Sequence, residues 1–246
     1  TESPAPLITK KALAHFTRLS AEGKRVAAFV HYMDPHSRYM THPQMKVFGG
    51  NATLMDKYDG EIYWTDHYVG KLLDGLRELG MYDDSVIVIF ADHGEAFKDH
   101  KSHFHGMTLY REEIEVPVLL RIPGVAPRVV EERIALVDLF PTVLDLFAIP
   151  FDRKLQGVSL LPIALEGAPR GRPVYAELVK YPNWPEDIRA LYVGDLKIIW
   201  NMTKNTWELF DLAVDPKEQN NIFRSHPKAD AMKQALHDWM DTALGD

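Results

Sequence analysis

The sequence predicts an α/β protein in which a mixed, mostly parallel sheet flanked by helices is followed by a small antiparallel sheet and a terminal helix. Residues 26–32 and 86–91 are apolar, β-branched runs with the length of strands buried on both faces. Between them, residues 53–79 repeat apolar side chains at helical spacing. Short strand-like runs separated by turns fill the region after residue 172, which is typical of an antiparallel sheet.

The remaining elements follow from the same periodicities. Residues 6–22 predict a surface helix, because apolar side chains lie on one side of it and lysines on the other. A third short strand spans residues 116–121, and a buried helix containing Pro141 spans residues 134–147. The predicted antiparallel strands are 173–178, 189–193, 196–200 and 207–211, and a helix over 227–244 closes the chain.

A change in composition predicts where the domains divide. Residues 167–173 are rich in Gly, Pro and Arg, as segments between domains often are. We therefore predict a larger α/β domain over residues 1–168. A smaller domain, with the antiparallel sheet and the terminal helix, is predicted over residues 169–246.

Composition and charge exclude several classes of function. The chain has 246 residues, of which 46% are hydrophobic and 26% are charged, the balance of a globular protein. A formal net charge of -7 argues against nucleic acid as a partner, since phosphate backbones are bound by basic patches. No run approaches the roughly 18 apolar residues of a membrane span, so none is predicted in this chain. The absence of cysteine excludes disulfides, thiolate zinc sites and cysteine nucleophiles.

Polar side chains follow the predicted strand at residues 86–91 directly. Asp92 and His93 come first, and Gly94 allows a sharp turn through which two adjacent side chains can converge. A carboxylate and an imidazole are an ordinary pair of ligands for a divalent metal. The carboxyl ends of strands are also where open α/β sheets place their active sites. The alternative is a simple turn in which the aspartate bonds its own backbone.

Histidines accompany both predicted strands. The strand at residues 26–32 leads to Pro35, which fixes the backbone next to His36. For His36 the alternative is a capping or turn residue. The stretch after Gly94 carries Lys98, His100, Lys101, His103 and His105.

Three sets of residues together resemble the sulfatase family of the alkaline phosphatase superfamily. They are Asp92, His93, Gly94, Glu95, Ala96 and Phe97 with His105, Gly106, Thr108, Leu109 and Tyr110; Asp34, Pro35, His36, Ser37, Arg38 and Tyr39; and Asp215, Pro216, Glu218, Asn221 and Ile222. The resemblance implies the second half of an alkaline-phosphatase-like sheet. We interpret the third set as a structural turn with buried hydrogen bonds.

The resemblance also implies roles for site residues. Asp92 and His93 are expected to bind a divalent metal, with calcium favoured by an oxygen-rich site and manganese or zinc by an imidazole ligand. His36 and His105 are expected to supply positive charge and protons, because histidine titrates near neutral pH. Lys101 or Lys98 is expected to add charge at the sulfate oxygens, and His103 and His100 are weaker candidates for the site.

Other features of sulfatases do not occur in this chain. The family takes two further aspartate ligands from a first strand, and a formylglycine nucleophile from a Cys/Ser-x-Pro-x-Arg motif. The only similar stretch, Ser225 to Ala229, lacks the arginine and is interpreted as chance. We therefore expect a carboxyl-terminal portion that is inactive alone and whose partner is the amino-terminal half of the same protein.

The predicted function is metal-dependent hydrolysis of a sulfate ester on a sugar or another small molecule. A phosphodiesterase or phosphonate monoester hydrolase is the alternative within the superfamily, and an inactive binding module is the alternative outside catalysis. The family's usual locations predict a periplasmic, lysosomal or secreted protein.

Overall fold

The computed structural model describes residues 3–42, 52–167, 171–182 and 184–244. The helices are α1 Ala5–Ala21, α2 Leu54–Glu78, α3 Arg111–Ile114, α4 Leu139–Leu146, α5 Leu161–Glu166 and α6 Ala229–Leu244, with a 3-10 helix over Leu136–Asp138. The strands are β1 Ile87–Phe90, β2 Ala96–Phe97, β3 His103–Phe104, β4 Val118–Arg121, β5 Val174–Leu178, β6 Ile188–Val193, β7 Leu196–Asn201 and β8 Thr206–Asp211.

The chain forms two compact units. The first unit is Thr1–Val88 with Leu120–Gly124, and the second is Ile89–Leu119 with Val125–Asp246. The domain boundary predicted between residues 168 and 169 stays a prediction.

Helices α1 and α2 build the first unit. They pack through a core in which Phe16 of α1 meets Leu72 and Leu76 of α2. Helix α2 begins with a reciprocal cap, because Thr53 accepts a hydrogen bond from Asp56 N while the Asp56 carboxylate accepts one from Thr53 N. These helices confirm the predictions over residues 6–22 and 53–79.

The strand predicted over residues 26–32 is wrong. These residues are not a strand in the structure, and Val26 and Val30 instead pack against the core between α1 and α2. A strand needs a hydrogen-bonded neighbour, and no described residue provides one here. The prediction that the next strand is buried on both faces is also wrong for the described residues, because β1 forms a two-stranded sheet with β4 and Phe90 is 37% exposed.

The second unit contains the antiparallel sheet, in the order β5-β6-β7-β8. All four strands begin and end within one residue of the predicted bounds. Side chains alternate between two cores, as strands buried on both faces require. Leu191, Ile198, Leu209, Met232 and Leu236 form the core against α6, and Ala190, Ile199, Phe210 and Leu109 form the core on the opposite face.

The helix predicted over residues 134–147 is divided in the structure. A 3-10 helix leads into the shorter α4, and the buried Asp138 carboxylate lies at the junction. It accepts hydrogen bonds from Ala135 N and Val158 N, both at 2.9 Å, and pairs with Arg172. This contact fixes the connection that precedes α5.

The mixed α/β architecture with a small antiparallel sheet and a terminal helix agrees with the predicted fold class. Across the described ranges, no helix combines the length and the apolar character needed to cross a membrane.

Candidate active site

A tight turn directly after β1 carries Asp92 and His93. Gly94 N donates to Glu113 O at 2.8 Å, and a Cβ at position 94 would lie 2.1 Å from Glu112 O. Only glycine fits a backbone approach of this kind. Asp92 Oδ1 accepts a hydrogen bond from His93 N at 3.1 Å, so the simple aspartate turn is present as well. The other carboxylate oxygen is the one that faces the histidine ring.

The positions of the Asp92 and His93 side chains are compatible with two ligands of one metal ion. His93 Nδ1 donates to Gly94 O at 2.8 Å, which leaves the lone pair of the neutral ring on Nε2. That nitrogen lies 3.9 Å from Asp92 Oδ2. Two atoms that bind one cation at about 2.0–2.6 Å lie at most about 4–5 Å apart, so this separation is compatible with a shared ion. Within the described ranges, no three His, Asp or Glu side chains form such a group.

His105 lies against this pair. Its ring stacks on that of His93, with centroids 4.1 Å apart. The Glu95 side chain, 3% exposed, holds His105 Nδ1 at 3.1 Å. A carboxylate in this position fixes the tautomer and orientation of an imidazole. Sequence reasoning used Glu95 as part of a motif but gave it no role.

The β2–β3 hairpin joins Glu95 to His105 through a backbone in unusual conformations. Lys98, Lys101 and Phe104 have φ angles of 81°, 62° and 65°, in the left-handed region. Each costs on the order of 1 kcal/mol for an L-residue, and such strain clusters at functional sites. Lys101 is exposed at this hairpin. Within the described part of the chain, no hydrogen bond or ion pair joins its side chain to Asp92, His93 or His105.

A buried carboxylate holds the segment that follows His105. Glu113 is 2% exposed and accepts hydrogen bonds from Met107 N at 3.0 Å, Thr108 N at 3.2 Å and Thr108 Oγ1 at 2.7 Å. Ser102 Oγ also donates to it, at 3.3 Å. One side chain therefore ties the hairpin and the chain after Gly106 together.

His100 has a structural role. Its Nδ1 lies 2.7 Å from Glu112 Oε1 and its Nε2 lies 2.9 Å from Glu218 O, while its ring stacks on Tyr110 with centroids 3.8 Å apart. Both of these oxygens are acceptors, so the protonated ring can donate to each, while the Gln219 side-chain amide nitrogen also lies 3.1 Å from Nε2. Burial lowers the pKa of His100, but its hydrogen bonds to the Glu112 carboxylate and the Glu218 backbone carbonyl raise the pKa by more, so the net shift is upward. Because both of its ring nitrogens have hydrogen-bond partners within the fold, His100 is a poor candidate for catalysis.

His36 lies in the first unit, whereas the other four predicted site residues lie in the second. His36 is exposed, its N donates to Met33 O at 3.2 Å and its Nδ1 donates to Ser37 O at 2.7 Å. Nearby Asp34 is buried and accepts a hydrogen bond from Ala5 N at 3.2 Å, where a negative charge favours the start of α1. The role of His36 at the sulfate stays a prediction.

The carboxyl-terminal signature is structural, as predicted. Lys197 and Glu218 are fully buried, with Nζ 2.6 Å from Oε1. Lys197 Nζ also donates to Leu109 O at 2.7 Å, and Glu218 Oε2 accepts from Arg111 N at 3.0 Å. Burial lowers the pKa of Lys197, and the neighbouring carboxylate opposes that shift. These bonds anchor the helix α3 region to the antiparallel sheet.

Two protein-family models match the chain and together cover most of it. Residues 7–149 match the model described as Sulfatase. Residues 99–244 match the model described as N-sulphoglucosamine sulphohydrolase, C-terminal. The chain belongs to the sulfatase family. The resemblance seen in the sequence is thereby confirmed.

Curated sulfatases resemble the chain over part of their length. It is 30% identical over 181 residues to Arylsulfatase K of Bos taurus, a match that covers 67% of this chain and 32% of that protein. It is 30% identical over 168 residues to Choline-sulfatase of Rhizobium meliloti (strain 1021), covering 67% and 32%. The match therefore spans about a third of the length of these relatives.

Solved structures confirm the fold. The protein yidJ of Bacteroides fragilis, described as a sulfatase, superposes with a TM-score of 0.85 at 21% identity, covering 96% of this chain and 58% of that one. BT4656, solved with its substrate D-glucosamine-2-N,6-O-disulfate, gives 0.68 at 24% identity, covering 78% and 41%. A phosphonate monoester hydrolase of Silicibacter pomeroyi gives 0.66 at 27% identity, covering 76% and 41%.

Proposed function

We propose that this sulfatase chain supplies part of the active site of a metal-dependent hydrolase of sulfate esters. The observation that carries the proposal is the exposed Asp92–His93 pair beside His105, which the buried Glu95 orients. Because BT4656 binds a sulfated glucosamine, a sulfated carbohydrate or small molecule is the proposed substrate.

Each residue has a distinct task in this proposal. Asp92 Oδ2 and His93 Nε2 would hold the divalent cation, with calcium as the first expectation and manganese or zinc as alternatives. When bound, the cation supplies Lewis-acid polarisation of the ester. His105, oriented by Glu95, would donate a hydrogen bond to a sulfate oxygen or a proton to the leaving alcohol. His36 and Lys101 would add positive charge around the sulfate oxygens.

The remaining parts of the site are proposed to come from the amino-terminal half of the same protein. That half would bring two aspartate ligands and the formylglycine nucleophile, so the chain alone is expected to be inactive. Exposed apolar side chains support a companion surface, since Phe29 is 76% exposed and Leu119 is 58% exposed. Ser225 is not proposed as the nucleophile, because residues 225–229 lack the arginine of the family motif. A periplasmic, lysosomal or secreted location is proposed with this function.

Phosphonate monoester hydrolysis is a second candidate. It is favoured by the match to the Silicibacter pomeroyi enzyme, which is 27% identical to this chain. Both reactions need a cation and groups that stabilise charge on tetrahedral oxygens. An inactive binding module remains the alternative outside catalysis.

Substituting the two proposed ligands tests the proposal. Asp92→Asn and His93→Gln, made in the complete protein, should each lower the rate of sulfate ester hydrolysis by about 100-fold or more. Loss of an outer-shell partner of a metal ligand already costs up to about 100-fold, and these two residues are proposed as the ligands themselves. The free energy of unfolding of each variant should equal that of the wild type, because the Asp92 and His93 side chains are 69% and 42% exposed. Asp83→Asn, at a side chain 98% exposed, is the control.

The substrate comparison separates the candidate functions. Sulfate esters and phosphonate monoesters assayed side by side show which reaction dominates. If both ligand variants hydrolyse sulfate esters as fast as the Asp83 control, the proposed site is wrong.

A further inference from the structure

Two neighbouring aromatic side chains on the loop between β5 and β6 are exposed to solvent. Tyr181 is 64% exposed and Trp184 is 40% exposed. Their ring centroids are 5.8 Å apart, and the ring planes are inclined at 42°. Large aromatic rings contribute strongly to binding when a ligand covers them. A pair presented in this way is therefore a candidate contact surface.

Backbone hydrogen bonds constrain the two residues that carry these rings. Tyr181 N donates to Trp184 O at 2.9 Å, and Trp184 N donates to Tyr181 O at 2.8 Å, so the backbones of the two residues are paired. At the base of the loop, the buried Arg189 donates to Leu178 O at 3.2 Å and pairs with Asp187. Side chains that are already positioned lose little conformational entropy on binding.

The loop places the indole next to the candidate active site. A Cβ at Gly106 would lie 2.5 Å from Trp184 Nε1 and 2.9 Å from its Cδ1, so the edge of the ring rests on this glycine. Gly106 also has a φ angle of 76°, which L side chains rarely adopt. It directly follows His105, whose ring stacks on His93 at 4.1 Å. The aromatic surface thus begins one residue from the histidine proposed to act on the leaving alcohol.

We propose that Tyr181 and Trp184 bind the alcohol portion of the sulfate ester and that this portion is a sugar ring. The inference rests on the proposed function of the His105 site. A pyranose has an apolar face of C–H groups that can cover an indole while its hydroxyl groups stay in water. Aromatic faces also hold ammonium groups, but the exposed Lys180 next to Tyr181 disfavours a cationic ligand and favours an anionic one.

Binding to the full chain tests the surface without catalysis. The probes are methyl glucoside 6-sulfate and ethyl sulfate, with affinities measured by NMR titration and ring contacts by saturation transfer. Trp184→Ala should weaken binding of the sugar about 10-fold, which corresponds to about 1.4 kcal/mol. Trp184→Phe keeps a ring and should lose less, and Tyr181→Ala should also weaken the sugar. Ethyl sulfate should bind all forms alike.

The control and the kinetics complete the experiment. Tyr63→Ala removes another exposed aromatic, 51% exposed on α2, and should leave the affinity for the sugar unchanged. In the complete protein, Trp184→Ala should raise KM for the sulfated sugar about 10-fold and leave kcat nearly constant, as expected when ground-state and transition-state binding are lost equally.

The outcomes separate this inference from the proposed function. The inference is overturned if the wild-type chain does not bind the sugar, if Trp184→Ala leaves that affinity unchanged, if ethyl sulfate weakens equally, or if choline sulfate binds in preference. Sugar binding that depends on Trp184, together with no hydrolysis of any sulfate ester by the complete protein, would support this surface and contradict the proposed function.

Discussion

Removing one member of the buried Lys197–Glu218 pair should destabilise the protein strongly. The two side chains are 0% and 1% exposed and are joined at 2.6 Å. Glu218→Gln keeps the shape of the side chain but leaves the Lys197 ammonium without a counter-charge in the interior. Breaking a buried pair from one side typically costs about 3–5 kcal/mol. We expect a loss of this size in the free energy of unfolding.

The double substitution should cost less than the sum of the single ones. Lys197→Met alone leaves the Glu218 carboxylate with the Arg111 N–H as its remaining partner, at 3.0 Å. Lys197→Met combined with Glu218→Gln removes both charges, so the double-mutant cycle should give a coupling energy of about 2–3 kcal/mol. Urea unfolding measures these free energies, and the dependence on urea should be the same in all variants.

A surface pair provides the control. Arg18 and Glu22 form an ion pair in which the side chains are 54% and 37% exposed, and breaking such a pair usually costs less than about 1 kcal/mol. If Glu218→Gln destabilises no more than Glu22→Gln, the reasoning about the buried pair is refuted. If it abolishes hydrolysis without loss of stability, Glu218 acts in catalysis and the structural assignment is wrong.

Two further predictions concern the segment around the site. Gly94→Ala should lower the free energy of unfolding by about 2–4 kcal/mol, because the new methyl group overpacks against Glu112 O and disturbs a backbone hydrogen bond. Gly70→Ala, in the open middle of α2, should instead raise the free energy of unfolding by up to about 1 kcal/mol. Equal effects of the two substitutions in urea unfolding would contradict the close packing at Gly94. His100 should stabilise the fold fully below pH 6.5, its ordinary pKa, and lose that effect as pH rises through its raised folded value. The gap in unfolding free energy between wild type and His100→Gln should thus be larger at about pH 5.5 than at about pH 9; a constant gap would contradict it.

Periodicity was sufficient for the elements that carry their own packing signal. Helix α2 has an apolar stripe, a capping threonine and Gly80 after its last turn, with a φ angle of 67°, so its bounds could be predicted closely. Strands β5 to β8 alternate between two cores and were predicted to within one residue. Strands β2 and β3 have two residues each and α3 has four, which is too short for any period to show.

The failures come from partners that a local pattern does not contain. Residues 26–32 have the composition of a strand, but a strand depends on the neighbour it pairs with, which no described residue supplies. In the site, the proximity of the Asp92 and His93 side chains could be predicted, because the two residues are adjacent in sequence and a glycine that allows a sharp turn follows them. The contact between Trp184 and Gly106 joins residues far apart in sequence, so no motif could predict it.

Native and denatured mass measurements with metal analysis test the central claim most directly. They would be made on the protein as it occurs in its source and on the Asp92→Asn/His93→Gln variant produced in the same way. The account predicts a companion segment with an aldehyde in place of a cysteine or serine side chain, and a bound divalent metal that the variant loses. A wild-type protein that carries no metal, or a variant that binds metal as fully as wild type, would contradict the assignment of Asp92 and His93.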